Sequence, residues 1–320
     1  MRRIALLVTA AALLCAGCGP AAPPPVPTSA PTTSPTTVIS QPATSAPTST
    51  PTSGPAATST TKPPPATTTS TAAPAGRVYP WHNGIVSTTF WVGELYDKNL
   101  ADGSQVCSTY DSLWAYHWSG VDAGKVPDDA AGCAGSIVGG CDGIPGENGQ
   151  CSTEARRPDN GYWPTSPHVK PRENPFYLDV PFDDLNDSTA FKQRCKVVPW
   201  ANDPGYAGHC TDQRFSYMKN AWLRIVGPSG RECFGQVEDA GPSSGKLYHD
   251  AAYVFGSDDR RPAHKGFNNA GMDVSPALNG CLGFADLDGQ DDRVRWQFVD
   301  PGNVPPGPWT RVITTSPVKE

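Results

Sequence analysis

The sequence predicts a mainly β protein, in which six short strands close a small barrel and long disulfide-stapled loops connect them. Few stretches beyond residue 77 keep a helical period for more than two turns, whereas short β-type runs broken by Gly, Pro, Asn and Asp recur. Six such runs at irregular spacing are typical of a small closed barrel with large excursions, and not of a sandwich of even hairpins. An even number of cysteines in this region indicates disulfides that hold the loops.

Residues 1–17 have the pattern of a secretory signal: a basic start, a short apolar run and then small residues. The apolar run is too short for a confident membrane span. The ending A-G-C resembles a bacterial lipobox, so Cys18 is predicted to be the lipidated first residue of the mature protein. Because Cys15 occupies the usual Leu position, ordinary secretion is the alternative.

Residues 18–76 form a tether made almost entirely of Pro, Thr, Ser and Ala, with Lys62 as its only charged residue. Such a composition buries too little apolar surface to offset the entropy of ordering, which predicts a disordered, extended segment. At about 3.1 Å per residue, a polyproline-like tether reaches on the order of 150 Å. A lipid anchor and a long tether suit a domain that works in the cell wall, although the tether alone is also compatible with a plain spacer.

The folded domain is predicted at 77–315. Three of the 25 basic residues and none of the 31 acidic residues precede residue 77, so residues 77–320 carry 22 basic against 31 acidic groups, a net charge of −9. This charge argues against nucleic acid or anionic lipid as the main partner. A neutral or partly cationic glycan remains compatible with it.

The predicted strands are short apolar runs bounded by turn residues. They are Ile85–Val92, Pro175–Val180, Ala221–Val226, Cys233–Glu238, Gly271–Val274 and Arg293–Val299. Short helices are predicted at Asp183–Asn186 and after Ser275, where Ser275 can cap the helix and Pro276 suits its first position.

Eight cysteines remain after Cys15 and Cys18 are set aside, which predicts four disulfides. They are Cys107, Cys133, Cys141, Cys151, Cys195, Cys210, Cys233 and Cys281. We expect Cys233–Cys281 within the central fold and Cys195–Cys210 closing a loop, with the remaining four stapling an insertion. No C-x-x-C occurs among these eight cysteines, so a cysteine zinc site is not expected, and neither a metal nor a cofactor is predicted.

Two aspartates lie at or near the ends of apolar strand patterns. Asp239, in Q-V-E-D-A-G-P, precedes a Gly/Pro turn, and Asp273, in G-M-D-V-S-P, precedes a helix start. Two carboxyl groups held at strand ends are the minimum for acid–base chemistry on a glycosidic bond. The apolar neighbours of Asp273 favour a raised pKa, as a general acid needs. The structural alternatives are a cap of the following helix for Asp273 and an Asx-type turn into Gly241 for Asp239.

These motifs resemble those of double-psi β-barrel proteins, the group that includes rare lipoprotein A, expansins and family 45 endoglucanases. V-E-D-A-G-P resembles the V-x-D-x-G-P strand and turn of rare lipoprotein A, and M-D-V-S-P-A-L-x-x-x-L-G resembles its I-D-L-S-x-A-A-x-x-x-L-G. S-T-T-F-W-V-G-E at 87–94 resembles the first barrel strand of the group. The chain also looks like a group of secreted bacterial proteins of unestablished activity that share N-P-F-Y-L-D-V-P-F-D-D-L.

The resemblance implies a six-stranded double-psi barrel in which Asp273 is the general acid. In family 45 enzymes a catalytic base directly follows an aromatic pair. Glu94 is the candidate here, but Val92 and Gly93 intervene. A second possibility resembles the three-aspartate barrels of some lytic transglycosylases, with Asp239, Asp250 and Asp273 as the trio.

Aromatic side chains near these acids suit a glycan site, because sugar rings stack on aromatic faces. The candidates in groove-side segments are Phe90, Trp91, Trp114, Tyr116, Trp118, Tyr162, Trp163 and Tyr253. Trp91 and Tyr253 are the predicted substrate contacts, and the alternative is that several of these rings fill the cores of long loops.

The sequence therefore predicts a lipid-anchored, wall-facing enzyme that cleaves a β-linked glycan, most simply peptidoglycan, by a lytic transglycosylase route without a cofactor. The alternatives are an endoglucanase-like hydrolase, an expansin-like module that loosens polysaccharide without hydrolysis, and a structural wall-binding module.

Overall fold

A computed structural model describes most of the chain beyond residue 75. The described residues are 76–94, 107–120, 141–145, 151–165, 170–256, 261–287 and 291–320. Cys18 and Cys133 lie outside them, so the predictions made for these two residues concern a part of the chain that is not described.

Eight strands lie in the described residues, and six of them close a barrel. They are β1 (His82–Thr89), β2 (Ile144–Pro145), β3 (Cys151–Ser152), β4 (Tyr177–Asp179), β5 (Trp222–Val226), β6 (Glu232–Asp239), β7 (Met272–Val274) and β8 (Asp292–Val299). The barrel order is β1-β7-β4-β6-β5-β8, and β2 pairs with β3 in a separate two-stranded sheet. All six predicted strands are confirmed as the six barrel strands.

The barrel is mixed. Strand β7 runs parallel to β1 and β6 runs parallel to β4, whereas the other neighbouring pairs are antiparallel. The first strand begins earlier than predicted because His82 still pairs with Trp296 of β8. It ends at Thr89, since the chain then turns and the Glu94 N–H donates to the Trp91 carbonyl at 3.0 Å.

Four α-helices accompany the barrel in the described part: α1 (Trp114–Ser119), α2 (Ser188–Val197), α3 (Ala251–Val254) and α4 (Pro276–Leu282). The helix predicted after Ser275 is confirmed as α4, with the Ser275 side chain accepting from the Leu278 N–H and Pro276 in its first turn.

The helix predicted at Asp183–Asn186 is wrong. There the Asp183 carboxylate accepts from the N–H groups of Leu185 and Asn186 and holds a turn. The helix begins only at Ser188, after Asp187, whose side chain caps it by accepting from two backbone N–H groups.

Two clusters of buried apolar side chains organise the molecule. The larger one takes the core-facing residues of the barrel strands, among them Leu178, Val237, Met272 and Val274. A smaller cluster joins Phe90, Val92, Trp114, Ala115, Trp118 and Tyr177. Since Tyr177 and Leu178 are consecutive in β4, the two clusters cover opposite faces of that strand.

Three disulfides join described cysteines: Cys141–Cys151, Cys195–Cys210 and Cys233–Cys281. The pairs predicted for the loop and for the central fold are both confirmed. Cys107 is also disulfide-bonded. Cys233–Cys281 links β6, the strand that ends at Asp239, to α4, the helix that follows β7.

The last residues of the chain pack on the folded body. Val318 forms a β-bridge with Phe215, and the Glu320 N–H donates to the Tyr110 carbonyl at 2.9 Å. The folded body therefore extends past residue 315. In the described ranges, no helix has the length and apolar character needed to cross a membrane.

Candidate functional site

Three aspartates lie side by side on three neighbouring barrel strands. In the pairing register, Asp179 of β4 stands opposite Asp273 of β7 on one side and opposite Asp239 of β6 on the other. Residues paired across strands project to the same face of a sheet, so their carboxyl groups form one row. We call Asp179, Asp239 and Asp273 the aspartate row.

The row lies on the face of the sheet that turns away from the barrel core. Met272 and Val274 belong to the core, so Asp273 between them points to the other face of β7. Leu178 of β4 also belongs to the core, so the next residue, Asp179, points to the other face of that strand. A register shift between Leu178 and Asp179 brings Asp239, and not Glu238, opposite Asp179.

Asp179 is the central member of the row, and the backbone of both neighbouring segments lies close to its carboxyl group. Its Oδ1 accepts from the Asp273 N–H at 3.0 Å. A Cβ on Gly241 would lie 2.8 Å from Asp179 Oδ2, so only glycine lets the D-A-G-P turn approach this closely. Asp179 is 3% exposed. Burial raises its pKa well above the usual range, and the charges of Asp273 and Asp239 raise it further.

Asp239 is buried but retains two hydrogen-bond donors. Its Oδ1 accepts from the Thr109 N–H at 2.7 Å and from the Ala240 N–H at 2.8 Å. Burial raises its pKa to about 7, although these donors stabilise the carboxylate and act in the opposite direction. The alternative Asx turn into Gly241 does not form, because the Gly241 N–H donates to the Val180 carbonyl.

Asp273 has the environment of an acid that keeps its proton. Its Oδ1 is buried without a hydrogen-bond partner. Burial raises its pKa to about 8, and the neighbouring charge of Asp239 adds to the increase. The alternative role as a helix cap is wrong, since Ser275 caps α4.

Two carboxyl groups of the row, those of Asp239 and Asp273, have different surroundings. Asp239 has two donors that favour its ionised form, whereas Asp273 has an orphaned oxygen. The pKa values of about 7 for Asp239 and about 8 for Asp273 both lie near neutral pH, so either group can gain or lose a proton there. This is the arrangement that acid–base catalysis uses.

The structure places Glu94 in a tight turn after β1. Its Oε2 accepts from the Trp91 N–H at 3.4 Å, and its own N–H donates to the Trp91 carbonyl. Asp239, and not Glu94, supplies the charge that raises the pKa of Asp273. The role of Glu94 as a base stays a prediction.

Asp250 is engaged as the N-cap of α3. Its Oδ1 accepts from the Tyr253 N–H at 3.2 Å, and its Oδ2 accepts from the Ala263 N–H at 2.7 Å. In the pairing register the aspartate beside both Asp239 and Asp273 is Asp179, and the catalytic role of Asp250 stays a prediction.

The two predicted aromatic contacts differ in their surroundings. Tyr253 is fully buried, donates to the Gly271 carbonyl and accepts from the Trp296 indole N–H, both at 3.0 Å. The prediction that it contacts substrate is wrong, because its ring belongs to the core. Trp91 is partly exposed, and its indole N–H donates to the Cys151 carbonyl at 3.0 Å, which fixes the ring beside β1.

Of the other candidate rings, three fill the smaller core cluster: Phe90, Trp114 and Trp118. This outcome agrees with the alternative that loop aromatics form their own core. Tyr116 is 39% exposed, and Tyr162 and Trp163 are partly exposed.

Asp179 is the site residue that the sequence patterns did not single out. It lies in N-P-F-Y-L-D-V-P, where an apolar strand delivers an aspartate just before a proline. This is the same pattern that identified Asp239 before A-G-P. The signal was therefore present in the sequence.

Compared with protein-family models, with curated proteins and with solved structures, the chain matches nothing. The fold and the aspartate row thus define its class on their own: a closed six-stranded mixed β-barrel with a row of protonatable carboxyl groups.

Proposed function

We propose that this chain cleaves a β-linked glycan of the cell wall, most simply peptidoglycan, with Asp273 as general acid. The single observation that carries the proposal is the aspartate row, in which Asp273 holds a proton near neutral pH. A general acid works best when its pKa lies near the working pH. The same proposal includes a barrel of the double-psi type, in which the aspartate motifs act as they do in the double-psi β-barrel proteins that the sequence resembles.

The preferred route is that of a lytic transglycosylase. Asp273 protonates the glycosidic oxygen, and the bond to the anomeric carbon breaks. The C6 hydroxyl of the same sugar then closes on the anomeric carbon and returns its proton to Asp273, leaving an anhydro end. One carboxyl group thus acts first as acid and then as base, and Asp179 and Asp239 keep its proton affinity high.

A hydrolytic route is the second candidate, and the pair Asp239 and Asp273 favours it. Their strands flank β4, so their Cα atoms lie roughly 10 Å apart at ordinary strand spacing. Inverting glycosidases separate their carboxyl groups by about 6.5–9.5 Å to leave room for a water. In this route Asp239 activates the water and Asp273 protonates the leaving group.

The location of the substrate rests on the N-terminal sequence. A lipidated Cys18 and a tether at 18–76 would carry the domain into the cell wall, away from the membrane. The net charge of the domain is compatible with a neutral or partly cationic glycan.

The test is product analysis by mass spectrometry after the full chain is incubated with peptidoglycan, both intact and stripped of stem peptides. Anhydro ends support the lytic route, and new reducing ends support hydrolysis. Either product should disappear in Asp273→Asn and persist in Asp250→Asn, which alters an acid outside the row. Intact glycan that still pellets with the protein would reject the enzyme and favour an expansin-like or structural binding module.

A further inference from the structure

A second group of acidic side chains begins at Glu238 of β6, which the register shift leaves without an opposite residue on β4. Near Glu238 lie side chains from three other parts of the chain. We call the five residues Asp111, His117, Glu173, Glu238 and Glu320 the His117 cluster.

Three members of the cluster converge on one point. The Nδ1 atom of His117 lies 2.7 Å from Oδ2 of Asp111 and 3.7 Å from Oε2 of Glu320. One ligand atom from each of the three residues falls within 4.8 Å of the other two. The Asp111 side chain is buried, whereas those of His117 and Glu320 are 32% and 40% exposed. The point is thus open to solvent on one side.

Carboxyl groups outnumber basic groups in the cluster. Four carboxyl groups accompany one ammonium group, that of Lys219, whose Nζ lies 3.6 Å from Oε1 of Glu320. Burial raises the pKa of Glu173 to about 7, and the charge of Asp111 raises it further. Burial raises the pKa of Glu238 well above its usual range, with Glu173 and Asp111 adding to the increase. Burial therefore favours the neutral forms of Glu173 and Glu238.

An unsatisfied atom accompanies this excess. Glu238 is 2% exposed, and its Oε1 is buried without a hydrogen-bond partner. Buried polar atoms nearly always have a partner, so an orphan beside a convergent set of ligands indicates a missing positive group.

We propose that Asp111, His117 and Glu320 bind a divalent cation of the zinc type beside the buried Glu238 carboxyl group. An imidazole nitrogen and carboxylate oxygens are ligands that Zn²⁺ prefers. Ligands at about 2.0–2.2 Å from one ion lie roughly 3.4 Å from each other. The observed 2.7 Å and 3.7 Å separations require adjustments below about 1 Å.

The site would fasten the end of the chain to α1. Glu320 belongs to the terminal segment that already bonds to Tyr110 and Ser112 through its backbone. His117 belongs to α1, so a shared cation joins the two segments.

The test is isothermal titration calorimetry of the EDTA-treated full chain with ZnCl2, with MnCl2 and CaCl2 in parallel. We expect one Zn²⁺ per chain, and affinity at least tenfold lower in His117→Ala and in Glu320→Gln. Both side chains are partly exposed, so both variants should fold.

The matched control is His209→Ala, which removes an exposed His–Asp pair whose atoms lie 3.2 Å apart. Zn²⁺ should raise the unfolding temperature of the wild type and of this control but not that of Glu320→Gln. Absence of Zn²⁺ binding, or binding that His117→Ala leaves unchanged, would overturn the proposal.

Discussion

The backbone N–H of Asp273 donates to the side-chain Oδ1 of Asp179 over 3.0 Å. This bond ties the proposed acid to the central member of the aspartate row across the β4–β7 pair. Because the same Asp179 also touches the turn that follows Asp239, one buried carboxyl group sets the positions of the other two.

Asp179→Asn should change the free energy of unfolding by less than about 1 kcal/mol at pH 7, because an amide imitates the protonated acid and still accepts from the Asp273 N–H. Asp179→Ala should cost about 2–3 kcal/mol, since it leaves that N–H unpaired and opens a cavity. Urea unfolding of both variants measures the difference. An Asn variant as unstable as the Ala variant would mean that Asp179 is ionised in the folded protein.

The stability of the wild type should fall as the pH rises from about 4 to about 8. In the folded state Asp239 and Asp273 keep their protons up to pKa values of about 7 and about 8, whereas the unfolded chain releases them near 3.8. The folded state thus binds more protons across this window, and stability falls as the pH rises.

The free energy of unfolding of Asp273→Asn should depend less on pH than that of the wild type. Relative to the wild type it should therefore rise by on the order of 3 kcal/mol between pH 5 and pH 8. Thermal unfolding in a pH series measures this gain. Asp212→Asn, at an exposed position, is the control and should show no such gain. A gain for Asp273→Asn that is constant with pH would refute the raised pKa.

Tyr253→Phe should cost about 1–3 kcal/mol of stability without changing the binding of peptidoglycan, because it leaves the Trp296 N–H and the Gly271 carbonyl unpaired in the core. Trp91→Ala should weaken binding, as this ring is partly exposed beside β1. Co-sedimentation with peptidoglycan, combined with urea unfolding, separates the two effects. If Trp91→Ala and the wild type sediment equally with peptidoglycan, Trp91 does not contribute to binding.

Loss of the Cys233–Cys281 disulfide should cost more than loss of Cys195–Cys210. The sequence separations are 48 residues for Cys233–Cys281 and 15 residues for Cys195–Cys210. By restricting the unfolded chain, loops of these lengths raise the free energy of unfolding by about 4 and about 3 kcal/mol. Urea unfolding of the two paired Cys→Ala variants measures both. The opposite order would show that native-state packing, and not loop closure, dominates.

The barrel strands could be predicted because each is a short, largely apolar run that is followed by Gly, Pro, Ser or Asp. The strand 222–226 and the helix after Ser275 follow from local patterns alone. The helix at Ser188–Val197 was missed because its sequence has no clear apolar face. Its buried Arg194 is held by backbone carbonyl groups, among them those of Phe215 and Asp212, which no local pattern reveals.

The site could be predicted only in part for a related reason. Asp239 and Asp273 stand out by their motifs, but which third carboxyl group joins them depends on strand order and on a register shift in β4–β6. Burial of Tyr253 depends on its bond to Trp296, 43 residues further along the chain. Pairings over such distances come from the closed barrel and not from any short pattern.

The most direct measurement is a titration of the aspartate carboxyl groups by carbon-13 NMR of the full chain, with Asp273→Asn to assign the Asp273 signal. A barrel that holds a general acid predicts a midpoint for Asp273 near pH 8 and one for Asp239 near pH 7. A midpoint for Asp273 near pH 4 would mean that it is ionised at neutral pH, and would contradict its role as the acid.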